Sequence, residues 1–495
     1  MLTTSGFPAT ASHRSGCSGL SVHPRLVARR GVLVRAAAAS VASPPFLTQK
    51  GAVDHVQWVL HEIDKGDKVV IAQTAPAVRV ALGEEFGLEP GTPTTGQMVS
   101  ALKKLGFDYV FDTQAGADLT IMEEAEELVQ RLYSRVHPEE GHPAPLPMFT
   151  SCCPAWVETV ERRHPDMIPH LSSAKSPIAI GAAAVKQYFA QKIGRTPREI
   201  VMVPVTPCLK KQAEADRMMM HTMDGAREVD HNWTTKDLAA LIKERGWDYV
   251  NLPVEEFDAF LGIATGAGAI FGSTGGVMEA VLRTAYYFAS GEHLPRLHLT
   301  EVRGLEGIKE ATVTVPANPL GRLRNAEPVE VRVAVANGLG NAKKVLDGIK
   351  KGSSEYDFVE VMACPGGCIG GGGQPRSKDK EVLHKRQQGI YSVEERLAIR
   401  RSYESPVMQA LYNEWLGQPG SHEAHTHLHT YFEVCGPASF DITAPPPPLE
   451  RQAPACELPN LVGKVCLVGP ESEADYLGEA SDAEGAGVQH GAGSQ

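Results

Sequence analysis

The chain reads as an α/β protein with mainly parallel sheets flanked by helices. Three observations carry that reading. Between about residues 51 and 431, short apolar runs alternate with amphipathic segments. The apolar runs are rich in β-branched residues and each stops at a loop. Cysteines sit directly after several of those runs, and ligands of open α/β sheets gather at the carboxyl ends of strands.

The predicted strands are Lys68–Ala72, Tyr109–Asp112, Ile200–Val205, Val331–Ala336 and Phe358–Met362. Predicted helices include Ile121–Tyr133, Val277–Ala289 and Asn341–Lys351. Thr120-Ile-Met-Glu123 has the spacing of a capping box for the first of these. On the same helix Glu124, Glu127 and Arg131 stand at i, i+3 and i+7, on one face.

The chain ends differ from the middle. The first acid is Asp54. The stretch before it carries Arg14, Arg25, Arg29, Arg30 and Arg35 among Ser, Thr and Ala, the composition of an organelle transit peptide. Residues 432–495 hold Ala444-Pro-Pro-Pro-Pro448 and, after Lys464, six acids without Lys or Arg. Such a tail cannot bury enough apolar surface to order itself, so it is expected to be disordered. No apolar run approaches the ~20 residues of a membrane-spanning helix. A net charge of −11 argues against a nucleic-acid partner.

Nine cysteines occur without a closely spaced framework, which favours a reducing compartment. Five lie in three short stretches: Thr150-Ser-Cys-Cys-Pro-Ala-Trp156, Thr206-Pro-Cys-Leu-Lys-Lys211, and Met362-Ala-Cys-Pro-Gly-Gly-Cys-Ile-Gly-Gly-Gly-Gly-Gln-Pro375. Thiolates gathered from distant loops are how a protein holds an iron–sulfur centre. Pro154 makes Cys153 a plausible N-cap, where thiolate is favoured, and Cys208 precedes the helix-forming run Leu209–Arg217. The run Gly370–Gly373 reads as backbone that approaches a bulky inorganic ligand. Zinc is the alternative, although zinc ribbons prefer Cys-x2-Cys pairs. Two further rivals are weak. Gly338-x-Gly340 with Glu360 lacks the third glycine of a dinucleotide loop, and His422-Glu-Ala-His-Thr-His-Leu-His429 places its second His one residue early for a metalloprotease.

The three cysteine stretches resemble the signatures of the FeFe hydrogenases. Further segments agree: Thr74-Ala-Pro-Ala-Val-Arg79, Ala117–Glu124, Phe271–Ala280 and Val335–Lys344. The resemblance spans about residues 50 to 431 and is greatest to the plastid enzymes of green algae, which lack accessory cluster domains. It implies a two-lobed domain with the active site between the lobes. The large-subunit-like region would cover 50–375 and a small-subunit-like region 376–431, after a chloroplast transit peptide over 1–45. By the same resemblance Cys153, Cys208, Cys364 and Cys368 would ligate a 4Fe–4S cluster, Cys368 bridging it to a two-iron subcluster with CO, cyanide and azadithiolate ligands. This composite is the H-cluster. Lys211, Met362, Ala75 and Pro76 would contact the two-iron unit. Protons would pass from Cys152 through a water to Glu124, Ser172, Glu127 and then Arg131 toward solvent.

Three positions depart from the usual family pattern: Thr206, Ile178 and Ala174. The first two are expected to line the diiron pocket. The expected activity is reversible reduction of protons to hydrogen by a stromal monomer. Reduced plastid ferredoxin would donate the electrons, and maturation proteins would build the cofactor. Arg376, Lys378, Lys380, Lys385 and Arg386 are candidates for docking an acidic ferredoxin. The related iron–sulfur assembly scaffolds are the competing class, with a low-activity sensory variant as the other alternative.

Overall fold

The computed structural model describes residues 53–140 and 144–434. The transit-peptide segment, the tail from residue 435 on, and Cys17, Cys435, Cys456 and Cys466 lie outside the described residues.

Two four-stranded sheets organise the described chain. The first has the order β2-β1-β4-β5, with β1 Val69–Thr74, β2 Tyr109–Asp112, β4 Ile200–Thr206 and β5 Trp233–Thr234, all parallel. The second has the order β3-β8-β7-β6, with β3 Met148–Phe149, β6 Ile308–Val315, β7 Val329–Asn337 and β8 Phe358–Met362. In it β3, β8 and β7 are parallel and β6 is antiparallel to β7. The two sheets are the two lobes expected. β1, β4 and β8 are buried along nearly their whole length, as strands covered on both faces must be. β6 alternates exposed and buried residues, which fits an antiparallel edge strand with one wet face.

The helix carrying the three charged residues is longer than its periodicity suggests. It runs Thr113–Val136, and Asp112 is its N-cap, accepting from the Gln114 N–H at 2.9 Å. Thr120 is therefore inside the helix, not at a capping box. Its hydroxyl donates to the carbonyls of Gly116 at 3.3 Å and Lys175 at 3.0 Å. The first two turns, Thr113–Thr120, are wholly buried and lack the one-sided pattern that marks a surface helix.

Glu360 excludes the dinucleotide reading. It lies fully buried on β8, and its two oxygens accept the N–H groups of Gly275 at 2.7 Å and Met278 at 2.8 Å. It thus caps the helix Gly276–Ser290 and cannot reach a ribose.

The helix Glu381–Arg396 is pressed onto the first lobe. A Cβ on Gly389 would sit 2.2 Å from the Gly91 carbonyl oxygen, and one on Gly91 would sit 2.1 Å from that of Lys385. Beside this contact Arg386 forms a two-pronged ion pair with Glu84 at 2.6 and 2.7 Å and donates to the carbonyls of Ile369 and Pro375. Arg386 is 2 % exposed, so it is a structural clamp and is removed from any docking surface. Replacing it by Ala leaves Glu84 facing a nearly dry interior. We expect Arg386→Ala to lower the unfolding free energy by about 3–5 kcal/mol in chemical denaturation, the range for breaking a buried pair.

Candidate metal centre

Strand ends from both lobes converge on one cavity. β1 delivers Ala75 and Pro76, β4 delivers Cys208, β3 delivers Cys152 and Cys153, and β8 delivers Cys364 and Cys368. All of these residues, with Lys211 and Met362, line the same cavity. Every predicted metal and cofactor residue is therefore brought together. Thr206 and Ile178 line it as well, whereas Ala174 is buried and does not line it.

Local structure explains how each thiol is aimed. Cys153 is the N-cap of the helix Pro154–Arg163, with Pro154 in the first turn. Cys208 is not a cap. The helix that follows it is short, Lys211–Ala215, because the chain first bends through Leu209 and Lys210. The Lys210 N–H points at the Cys208 sulfur at 3.4 Å, and the Cys208 N–H reaches the Thr206 hydroxyl at 3.3 Å. That hydroxyl also donates to Asn232 at 2.9 Å, so Thr206 and Asn232 set the bend. Cys364 and Cys368 flank a turn made possible by Gly366 and Gly367, at φ of 75° and 87°.

The glycine run also serves packing between loops. A Cβ on Gly370 would meet the Pro365 carbonyl oxygen at 2.0 Å, one on Gly371 the Pro207 carbonyl oxygen at 2.3 Å, and one on Gly373 the Thr234 Cβ at 2.9 Å. The glycines let the Cys368 loop pack against the Cys208 loop. They make room for protein, and Gly371 also lines the cavity.

The four thiols are close enough to repel one another as anions. Burial, together with Cys153 and Cys208, pushes the Cys364 thiol up to about 11, and burial with Cys208, Cys153 and Cys364 pushes Cys368 higher still. The accessible surface of Cys368 opens onto the cavity, since protein encloses the side chain. Yet no three of these sulfurs lie within 4.8 Å of one another; among the described residues only His137, Glu139 and Glu140 form a set that tight. Tetrahedral zinc, with Zn–S bonds of about 2.3 Å, would draw its sulfurs to roughly 3.8 Å. Four cysteine thiols lining one cavity are the donor set that a 4Fe–4S core takes.

The residues around the cavity fit the rest of such a cofactor. The Lys211 ammonium is held by Glu214 at 2.7 Å and the Cys152 carbonyl at 3.0 Å. Burial works against its charge, but Glu214 prevails and its pKa is raised. Glu214 and the Ser176 hydroxyl that donates to it at 3.1 Å were not singled out from sequence; the i, i+3 spacing of Lys211 and Glu214 was the available signal.

Behind Cys152 stands a line of buried polar groups. Burial drives the Cys152 thiol well above its usual value, with Glu124 adding to the shift. Glu124 is 0 % exposed; no well-formed hydrogen bond reaches either carboxyl oxygen, and the nearby Ser151 N–H and Ser172 hydroxyl favour its charge only partly. Burial, then the charge of Glu127, pushes its pKa to about 8. Glu127 is the opposite case. Burial opposes its charge, but Arg131 and His429 outweigh that and lower its pKa. Its oxygens accept from Arg131 at 2.6 Å, the Ser172 hydroxyl at 2.9 Å and the Ser173 N–H at 3.0 Å. Arg131 is itself only 2 % exposed and also donates to the carbonyls of Pro145, His170 and Leu171. Its guanidinium therefore faces protein, not open solvent.

The His-rich segment is not a metal centre. His429 bonds Glu123 and Ser173, and His427 bonds Gln187. These side chains are shared among separate partners.

Comparison with known proteins agrees with this geometry. The family described as iron only hydrogenase large subunit, C-terminal domain, matches residues 68–372, and iron hydrogenase small subunit matches residues 380–434. The chain belongs to the iron-only hydrogenase family. It is 45% identical over 380 residues to the NADP-reducing hydrogenase subunit HndD of Solidesulfovibrio fructosivorans, covering 77% of this chain but 62% of that relative. A solved structure of the FeFe-hydrogenase HydA1 from Chlamydomonas reinhardtii aligns with a TM-score of 0.70 at 46% identity, over 78% of this chain and 100% of that one. The mouse cytosolic iron–sulfur assembly component 3 is 32% identical over 374 residues, covering 74% of this chain and 75% of that relative. Iron-only hydrogenases carry the H-cluster, a 4Fe–4S cluster bridged to a 2Fe subcluster.

The raised carboxyl of Glu124 has a direct consequence for stability. The native chain binds this proton more tightly than the unfolded chain, so the group's contribution falls as pH rises from 4.5 to about 8. Glu124→Gln removes that loss. Its melting temperature relative to the parent should climb across this window and stay level outside it. A difference that does not vary with pH would contradict the assignment.

Proposed function

We propose that this chain is an FeFe hydrogenase that reversibly reduces protons to hydrogen with electrons from reduced ferredoxin. The observation that carries the proposal is Cys152. It lines the cavity beside the other four thiols, is the one that the family resemblance leaves unligated, and backs onto a carboxyl whose pKa is raised to about 8. A structural cysteine needs no such neighbour, whereas a proton relay does.

When bound, the H-cluster would supply the redox chemistry. Cys153, Cys208, Cys364 and Cys368 would hold its cubane part, and Lys211, Met362, Ala75 and Pro76 would enclose the rest. The chain's own work is to move protons. Glu124 can be protonated or ionised near pH 7 and faces Cys152 on one side. Ser172 donates to Glu127, which Arg131 keeps ionised. A neutral acid next to a paired carboxylate sets a direction for proton exchange between them.

Maturation proteins would install the two-iron unit, and the chain would act as a monomer in the chloroplast stroma. For ferredoxin docking, Arg376, Lys378 and Lys380 are exposed near the cluster loop. Lys385 is exposed but pairs with Glu89 at 3.0 Å. The assembly-scaffold reading is favoured by one observation, the identity to the mouse assembly component.

Co-expression with the maturation proteins separates the two readings. We expect hydrogen evolution with reduced ferredoxin and infrared bands of CO and cyanide; 4Fe–4S absorption with neither would establish a scaffold. Cys152→Ala should keep those bands and lose at least about 100-fold in turnover, the usual weight of a positioned proton donor. Undiminished hydrogen evolution in that variant would remove the relay.

A further inference from the structure

The residues that hold Glu127 are themselves held by the C-terminal region. The chain after the helix His422–Leu428 runs antiparallel to the segment 173–175. The Lys175 N–H donates to the Leu428 carbonyl at 2.9 Å, the Thr430 N–H donates to the Ser173 carbonyl at 2.8 Å, and Ala174 bridges His429 between them. This strip lies within the small-subunit match.

His429 adds two side-chain bonds to that backbone pairing. Its Nε2 lies 2.9 Å from a Glu123 oxygen, and its Nδ1 lies 2.8 Å from the Ser173 hydroxyl. Glu123 already takes the Tyr412 hydroxyl and the Gly420 N–H, so its carboxylate serves as acceptor. Nε2 then carries a proton toward Glu123, and Nδ1 pairs with the Ser173 hydroxyl. The side chain is 6 % exposed. Glu123 and Glu127 are four residues apart on the same helix, so one imidazole spans the gap between that helix and the serine turn. Ser172 and Ser173 place a hydroxyl and an N–H on the same oxygen of Glu127.

We propose that His429 is a positioning residue of the proton route, fixing the Ser172–Ser173 turn so that both donors stay on Glu127. The proposal rests on the hydrogenase reading, and the side chain acts through Ser173 without touching the cofactor cavity. Asn at this position can place an amide oxygen or NH2 where Nδ1 stands and so pair with Ser173 either way, but it is too short to reach Glu123. The bond to Ser173 is the one that orients the turn, so Asn should suffice where Ala does not.

The test uses His429→Ala, His429→Asn and Ser173→Ala in the full chain. After maturation, with reduced viologen as donor, His429→Ala and Ser173→Ala should each lose about tenfold in hydrogen evolution, within the range for a misplaced catalytic group. Their solvent isotope effect should rise while KM for the donor stays unchanged. His429→Asn should recover to within about threefold of the parent. In the unmatured chain, amide hydrogen exchange over residues 171–175 should quicken in both alanine variants and stay slow in the asparagine variant. Parent-like turnover and exchange in the alanine variants would overturn the proposal, as would equal losses in Asn and Ala. A matured parent that evolves no hydrogen would defeat the hydrogenase reading instead, and the exchange data would still decide whether His429 holds the turn.

Discussion

Four thiolates that share one inorganic core must come together while repelling one another, and no single loop can supply them. The fold meets this constraint by aiming the carboxyl ends of two separate sheets at a common cavity. One sheet contributes Ala75, Pro76 and Cys208; the other contributes Cys152, Cys153, Cys364 and Cys368. Neither lobe alone carries the full donor set. The glycines of the Cys368 loop serve the same end, since without them the Cys368 loop could not approach Pro207 and the Cys208 loop. Burial makes the arrangement costly for bare thiolates, and a positively charged iron core relieves that cost.

Burial also separates the two glutamates. Glu124 and Glu127 lie one turn apart on the same helix, yet their carboxyls are driven in opposite directions. Glu124 meets only the Ser151 N–H and the Ser172 hydroxyl, too weakly to offset its burial, whereas Glu127 is held by Arg131, Ser172 and Ser173. Two like groups with unlike environments are what acid–base exchange requires.

Much of the site was legible because its signals are local. Thiols placed after β-branched runs mark strand ends, and Tyr109–Asp112 and Phe358–Met362 match β2 and β8 residue for residue. The Pro after Cys153 correctly marked a helix start. What escaped depends on contacts distant in sequence. Thr120 has capping-box spacing, but tertiary burial of Thr113–Leu119 carries the helix past it. Arg386 lies in a basic stretch like its neighbours, and only its approach to Glu84 turns it inward. β3 and β5 are two residues each, too short for any periodicity to register. The short helix after Cys208 was overextended because Thr206 and Asn232 meet only in the folded chain.

The central claim is that Cys153, Cys208, Cys364 and Cys368 surround one cubane while Cys152 remains free. Anaerobic reconstitution of the unmatured chain, followed by iron and sulfide counting and electron paramagnetic resonance, tests it most directly. Four irons and four sulfides per chain and one reduced-cubane signal are expected, lost on serine substitution of Cys153, Cys208 or Cys364. A single bound metal ion, or a signal that disappears when Cys152 is replaced, would contradict it.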